Sequence, residues 1–175
     1  MEGSNNNVAK ISTEPAPSVA GKYLTFSLSK ETYGVEILKV IEINSMMPIT
    51  HVPRCAPYVK GVVNLRGKII PVIDLRMLFG MDEMKYDEKT CTIMVNVTVG
   101  DTRIAIGMIV DRVLEVADFE EAEIAPAPDY GASLDGDFIR GMGKTDDQAV
   151  VILIDIEKVL SRRESELVGQ ISAPK

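Results

Sequence analysis

The sequence predicts a mainly β protein built as two similar small barrels in tandem, packed into one compact body. Three observations carry that expectation. Short runs of alternating or continuous apolar residues are separated by turn signals. Helical patterning is brief. A four-part internal repeat recurs in the same order along the chain, which at 175 residues is long enough for one ordinary domain or two very small ones.

Taken in order, residues 1–21 are polar, with an Asn run and "TEPAPS", and read as a disordered N-terminal segment. "YLTFSL" (Tyr23 to Leu28) alternates large apolar and small polar side chains as a half-buried strand does, and "ETYGVEI" reads as its hairpin partner. A helical signal lies around Leu38 to Glu42. The stretch from Gly61 to Arg76, "GVVNLRGKIIPVIDLR", reads as two strands flanking a tight Arg66-Gly67-Lys68 turn, in which Gly67 supplies access to positive φ. A second short helical signal surrounds Met77 to Phe79. "CTIMVNV" and "RIAIGMIV" form another hairpin around "TVGDT", and "QAVVILID" is a late buried strand. A longer helix is expected from Ile156 to about Leu167, and residues 166–175 as a flexible tail.

The repeat aligns "YGVEILKVIEI" (Tyr33 to Ile43) with "IGMIVDRVLEV" (Ile106 to Val116). "ITHVP" then echoes "IAPAP", "YVKG" echoes "FIRG", and "IIPVIDLRMLF" echoes "VVILIDIEKVL", matching Asp74 with Asp155. Each half carries about five short strands, a number suited to a small closed barrel, and closure removes edges that invite aggregation. The halves are expected to divide near 22–88 and 89–165, with exchange of the first strand between barrels left open.

Composition sets the partners. Apolar residues make up 46% and aromatics only 5%, with no Trp, so the core is expected to be aliphatic. A formal net charge of −7 repels nucleic-acid phosphates. No apolar window approaches the ~18 residues a spanning helix needs, and "MEGSNNNVAK" lacks a secretion signal. Cys55 and Cys91 stand without ligand-spaced partners, which fits a reducing cytoplasm.

Catalytic constellations do not assemble. His51 is the single histidine and reads as a loop residue. "GVVNLRGK" has five residues between its glycines, is followed by Ile69 and continues as a strand, so it is no phosphate loop. "GMGKTDD" reads as a flexible hairpin loop, and "MDEMKYDE" and "DFEEAE" as solvated acidic loops without calcium-loop spacing. Asp74 and Asp155 are expected to bond local backbone at strand-to-helix junctions. No metal or cofactor is implied, and an enzyme is not expected.

What remains is surface. Arg66 projects from a rigid hairpin tip, and arginine anchors interfaces by pairing with carboxylates while covering apolar surface. Glu42 sits within "VIEI" and its counterpart Glu115 within "VLEV". Each reads as the outward side of its element or as a contact beside a hydrophobic groove.

The segments "KYLTFSLSKETYGVEILKVIEI", "VPRCAPYVKGVVNLRGKIIPVIDLR", "IAPAPDYG" and "VVILIDIEKVL" resemble the CheW-like family of bacterial chemotaxis coupling proteins, over about residues 22–165. The resemblance implies two five-stranded SH3-like barrels and a non-enzymatic adaptor. Such an adaptor bridges the cytoplasmic tips of chemoreceptors to the regulatory domain of the histidine kinase CheA in membrane-associated arrays, and contacts further copies of itself there. It implies receptor contacts at Arg66 and Glu42, with Val40 and Gly61 in the same region and Gly107 near the groove between barrels. It implies kinase contact at Tyr130. Ala125 stands where some relatives carry a basic residue, which removes a charge from the kinase side. Two other readings remain at this point: an adaptor for surface motility or second-messenger control, and a small-ligand-binding or enzymatic β-barrel.

Overall fold

The structure is a computed structural model describing residues 19–127 and 138–162, with side chains described to residue 160. Expectations for the N-terminal segment, for Tyr130 and for the chain beyond residue 162 lie outside the described residues.

Among the described residues, eleven strands and two short α-helices follow in order. They are β1 (Gly21–Leu28), β2 (Glu31–Glu36), β3 (Val40–Ser45), β4 (Val59–Leu65), β5 (Lys68–Asp74), α1 (Leu75–Leu78), β6 (Cys91–Val99) and β7 (Thr102–Val110). Then come β8 (Arg112–Phe119), β9 (Ile124–Ala125), β10 (Ile139–Lys144), β11 (Val150–Ile154) and α2 (Ile156–Arg162).

These strands form two sheets, ordered β8-β1-β2-β11-β10-β9 and β3-β6-β7-β5-β4. Apart from β9, the two are the same arrangement used twice. β8 and β3 are equivalent edges, each antiparallel to its neighbour β1 or β6. β11 joins β2 in parallel as β5 joins β7. The β10–β11 and β4–β5 hairpins match down to a register shift between Ile139 and Gly141 in one and between Val59 and Gly61 in the other. A bulge recurs in the edge strands, between Val40 and Glu42 and between Val113 and Val116. The repeat visible in sequence is therefore a repeat in space.

A cut near residue 88 does not separate the sheets. β1 and β2 complete the sheet that holds β8–β11, while β6 and β7 complete the sheet that holds β3–β5. The chain crosses between sheets through the 3₁₀ turn Ile37–Lys39 and again at Asp111. An amphipathic strand carries no mark of which sheet it joins, because partner choice rests on non-local pairings such as β5 with β7.

Both sheets must coil. β8 and β9 stand at opposite ends of one sheet yet only Glu120–Glu123 separate them in the chain. Laid flat, six strands at ~4.8 Å spacing would hold those edges about 24 Å apart, beyond the ~17 Å that five extended residue steps reach. In the other sheet Thr50 bridges Val62 on β4, only five residues after β3 ends, so the same argument applies.

Alternation along the strands sorts side chains into three clusters. One face of each sheet contributes to a large shared core that includes Leu24, Phe26, Ile73, Ile93, Met108 and Ile154. The other faces fill the interiors of the two coiled sheets separately, with Val63, Ile70, Val72, Met94 and Ile109 in one and Tyr23, Phe119, Val151 and Leu153 in the other. The core is not purely aliphatic. Tyr23, Phe26, Tyr33, Tyr58 and Phe119 are all buried, and Phe26, Tyr33, Phe79 and Phe138 form a continuous ring stack with centroids 6.0, 5.6 and 5.0 Å apart. A scarce residue type is concentrated inside because each ring removes so much apolar area from water.

Two local expectations change. Leu38–Glu42 is not a helix: a single 3₁₀ turn ends at Lys39 and β3 begins at Val40, where the β-branched Val40, Ile41 and Ile43 favour a pleated strand. "GMGK" is not a loop but the end of β10, and the turn follows at Thr145–Gln148. Among the described residues no helix is long and apolar enough to cross a membrane.

Candidate functional site

The β4–β5 turn places Arg66 and Gly67 at φ 53° and 85°. Two successive positive φ values make the two-residue hairpin turn whose twist matches the flanking strands. Asn64 Oδ1 accepts the Gly67 N–H at 2.9 Å and fixes the turn. Positive φ suits glycine at position 67, and an arginine at position 66 is the departure from the usual Asn or Gly.

From that tip the guanidinium reaches β3. Arg66 Nη1 donates to Glu42 Oε1 at 2.8 Å and Nη2 to Glu42 Oε2 at 3.3 Å, a bidentate pair between residues 24 apart in sequence. Asn44 Nδ2 donates to the same Glu42 Oε2 at 2.9 Å. The Arg66 hydrogen bonds, followed by that of Asn44, hold the Glu42 carboxyl below its ordinary range, and Glu42 in turn raises Arg66.

This pair joins opposite ends of a sheet. β3 is one edge of its sheet and β4 the other, so Glu42–Arg66 closes the seam at one level while Thr50–Val62 closes it at another, with N···O distances of 2.8 and 2.9 Å. The pair is also open to a partner: the Arg66 side chain is 73% exposed and Glu42 22%. Ile41 and Ile43 on β3 and Ile69 on β5 are exposed large apolar residues on the strands that carry the pair.

The other expected site residues fall into two settings. Val40 begins β3 and packs half-buried against the shared core. Gly61 is buried beneath the Thr50 bridge at φ 142°, where an added Cβ would lie 2.0 Å from the Thr50 carbonyl oxygen. Gly107 is buried between strands, and a Cβ there would meet Thr92 Cγ2 at 2.8 Å and Met94 Sδ at 3.1 Å. Neither glycine offers a surface atom of consequence, and both let strands approach closely. Tyr130 lies outside the described residues.

Asn44 is not among the expected site residues: a helical expectation over Leu38 to Glu42 hides the two-residue strand spacing that puts Glu42 and Asn44 on one face. Asp74 and Asp155 do bond local backbone. Asp74 Oδ1 accepts Met77 N–H at 3.3 Å, and Asp155 Oδ1 accepts Lys158 N–H at 3.1 Å. Asp74 additionally accepts the Tyr86 hydroxyl at 2.7 Å, which with burial pushes that phenol well above its ordinary value and ties down the acidic segment after α1.

A coiled two-sheet β body with an exposed charged pair at its seam, and exposed aliphatic residues on the neighbouring strands, offers the kind of surface that suits protein contact. Among the described residues no three His, Cys, Asp or Glu side chains converge as a metal site would require. The family model for the CheW-like domain matches residues 22–164, and the chain belongs to that family. It is 36% identical to chemotaxis protein CheW of Klebsiella aerogenes over 165 residues, covering 94% of this chain and 96% of that one. CheW of Helicobacter pylori is 33% identical over 141 residues, 81% of this chain and 82% of the relative. The scaffolding protein TtCheW of Thermoanaerobacter tengcongensis superposes with a TM-score of 0.73 at 34% identity, over 86% of this chain and 99% of the other. These names describe a chemotaxis scaffold, and the chain is an adaptor of that kind and not an enzyme.

Proposed function

We propose that this chain couples the cytoplasmic tips of chemoreceptors to the histidine kinase CheA, acting in the cytoplasm and recruited to membrane-associated receptor arrays. The observation that carries the reading is the Glu42–Arg66 pair, exposed at the seam of a sheet whose strands β3 and β5 also carry the exposed Ile41, Ile43 and Ile69. A helical receptor tip laid against those side chains would bury apolar surface worth roughly 25 cal/mol per Å². The pair would set its register, because an arginine already held by Glu42 keeps further N–H donors pointing outward at low entropic cost.

In this reading Val40 supports the contact strand from beneath, and Gly61 and Gly107 hold the frame instead of touching the receptor. The kinase contact falls to Tyr130, which follows β9 in the sequence. Two separate faces make a bridge, and repeated contacts in an array, including those between copies of the adaptor, turn modest pairwise affinity into a stable lattice.

Co-sedimentation with receptor-containing membranes and CheA tests the proposal. The chain is expected to pellet with the membranes and to bring additional CheA down with it. A folded chain that binds neither component would overturn the coupling role.

A further inference from the structure

The same helix position in the two repeats carries opposite charges, and each charge is latched to a crossover between the sheets. In the repeat alignment Arg76 on α1 matches Glu157 on α2. Arg76 Nη1 donates to Asp111 Oδ2 at 2.8 Å, and Asp111 is the crossover residue between β7 and β8. Glu157 Oε2 lies 3.0 Å from Lys39 Nζ, and Lys39 ends the other crossover, between β2 and β3.

In both latches the same carboxylate oxygen takes a second bond, from the far sheet. Asp111 Oδ2 also accepts Ser29 N–H at 2.7 Å, from the β1–β2 turn. Glu157 Oε2 also accepts Thr98 N–H at 2.8 Å, from β6. The first latch thus runs helix cation, crossover anion, hairpin amide. The second runs helix anion, crossover cation, with the amide on the helix carboxylate. The wiring is equivalent and the polarity reversed.

Apolar packing does not distinguish the two helices. Leu75 and Leu78 of α1, and Ile156, Val159 and Leu160 of α2, all enter the same shared core, and burial of aliphatic groups is non-directional. The units β4-β5-α1 and β10-β11-α2 have equivalent topologies, each docking its second strand in parallel on a hairpin, β7 or β2. Exchanging them, within one chain or between two, would put Arg76 opposite Lys39 and Glu157 opposite Asp111. Both juxtapositions are like-charged and mostly desolvated, which is how wrong pairings are made costly.

We propose that these reversed-polarity latches are the device by which the chain tells its two duplicated halves apart, admitting α1 only at the Asp111 crossover and α2 only at the Lys39 crossover. The double variant Arg76→Glu with Glu157→Lys inverts the preference: its native latches become like-charged and its exchanged latches become attractive. Full-length chains are refolded from denaturant, sized, and treated with a carbodiimide that joins contacting amines and carboxylates. Wild type is expected to give a Lys39–Glu157 cross-link. The double variant is expected to give several-fold more exchanged or oligomeric product, with cross-links from Lys39 to position 76 and from Asp111 to position 157. Refolding of the double variant to a species of wild-type size and yield without those cross-links would overturn the proposal.

A neutral pair, Arg76→Met with Glu157→Gln, keeps the inference testable if the inverted variant does not fold. Removal of discrimination without added repulsion is expected to raise the oligomeric fraction several-fold over wild type at equal protein concentration. An unchanged fraction would count against the latches as a sorting device.

Discussion

Glu42 on one edge strand of a sheet and Arg66 in the turn that follows the opposite edge strand meet through two hydrogen bonds, of 2.8 and 3.3 Å. An arginine at a hairpin tip flanked by aliphatic strands therefore has a structural partner before it has any external one. It straps the seam of a coiled sheet, and because it remains largely exposed it can be read from outside at the same place. The candidate site and the closure of the sheet share one ion pair.

That exposure predicts a separation of effects. Arg66→Ala is expected to leave the thermal midpoint without resolvable change, since exposed pairs contribute little, while receptor association is lost. A matched calorimetric scan and membrane-binding assay on the same preparation check it, and a large fall in Tm would reassign the pair to stability.

Gly61 behaves in the opposite way. A methyl at a Cβ position 2.0 Å from the Thr50 carbonyl oxygen, on a residue at φ 142°, has no room without opening the Thr50–Val62 bridge. Gly61→Ala is expected to cost about 2–4 kcal/mol. Urea unfolding measures it, and receptor binding should fall only as the folded fraction falls.

The two repeat-matched aspartates are predicted to differ. Asp155→Ala removes an N-terminal helix contact worth about 1 kcal/mol. Asp74→Ala removes the equivalent contact and strands the Tyr86 hydroxyl, adding about 1–3 kcal/mol. Equal losses in paired denaturation curves would show that the Tyr86 bond contributes nothing.

Glu157 supplies a pH signature. Burial pushes its carboxyl upward, but the Thr98 N–H and Lys39 together outweigh burial and hold it below the ordinary glutamate range. A depressed folded-state pKa contributes stability that is complete above the unfolded value of about 4.3 and is lost as pH falls through the folded value. Glu157→Gln is therefore expected to flatten the decline in stability below about pH 4.3. The difference between wild-type and variant denaturation midpoints across acidic pH reads it directly.

Much of this architecture was legible in the residues because local patterns set local structure. The alternation in Tyr23 to Leu28 and the Arg66-Gly67 turn each specify a hairpin, and the Tyr33–Ile43 echo in Ile106–Val116 announces duplication. The allotment of β1 and β2 to the sheet of β8–β11 was not legible, since it depends on parallel pairing between strands more than a hundred residues apart, such as Leu153 with Gly34. Ile37, Leu38 and Ile41 fit a helical spacing as well as a strand, and antiparallel pairing of Val40–Ser45 with β6, a segment some fifty residues on, makes the strand. Arg66 and Glu42 were each visible, but their meeting follows only from coiling of the sheet. Gly61 and Gly107 were marked by resemblance, whereas the carbonyl and side chains that exclude a Cβ there come from distant segments.

Under the proposed function a receptor reads Arg66 and Glu42 as charges in fixed positions, beyond their service to the sheet. Exchanging them, Glu42→Arg with Arg66→Glu, preserves an ion pair across the seam and reverses its polarity toward a partner. Co-sedimentation with receptor-containing membranes, with circular dichroism and a thermal melt on the same samples, separates the two roles. The exchanged variant is expected to melt like wild type, to bind CheA in solution still, and to fail to pellet with receptor. A variant that pellets as wild type does would contradict that reading and leave the pair as a strap alone.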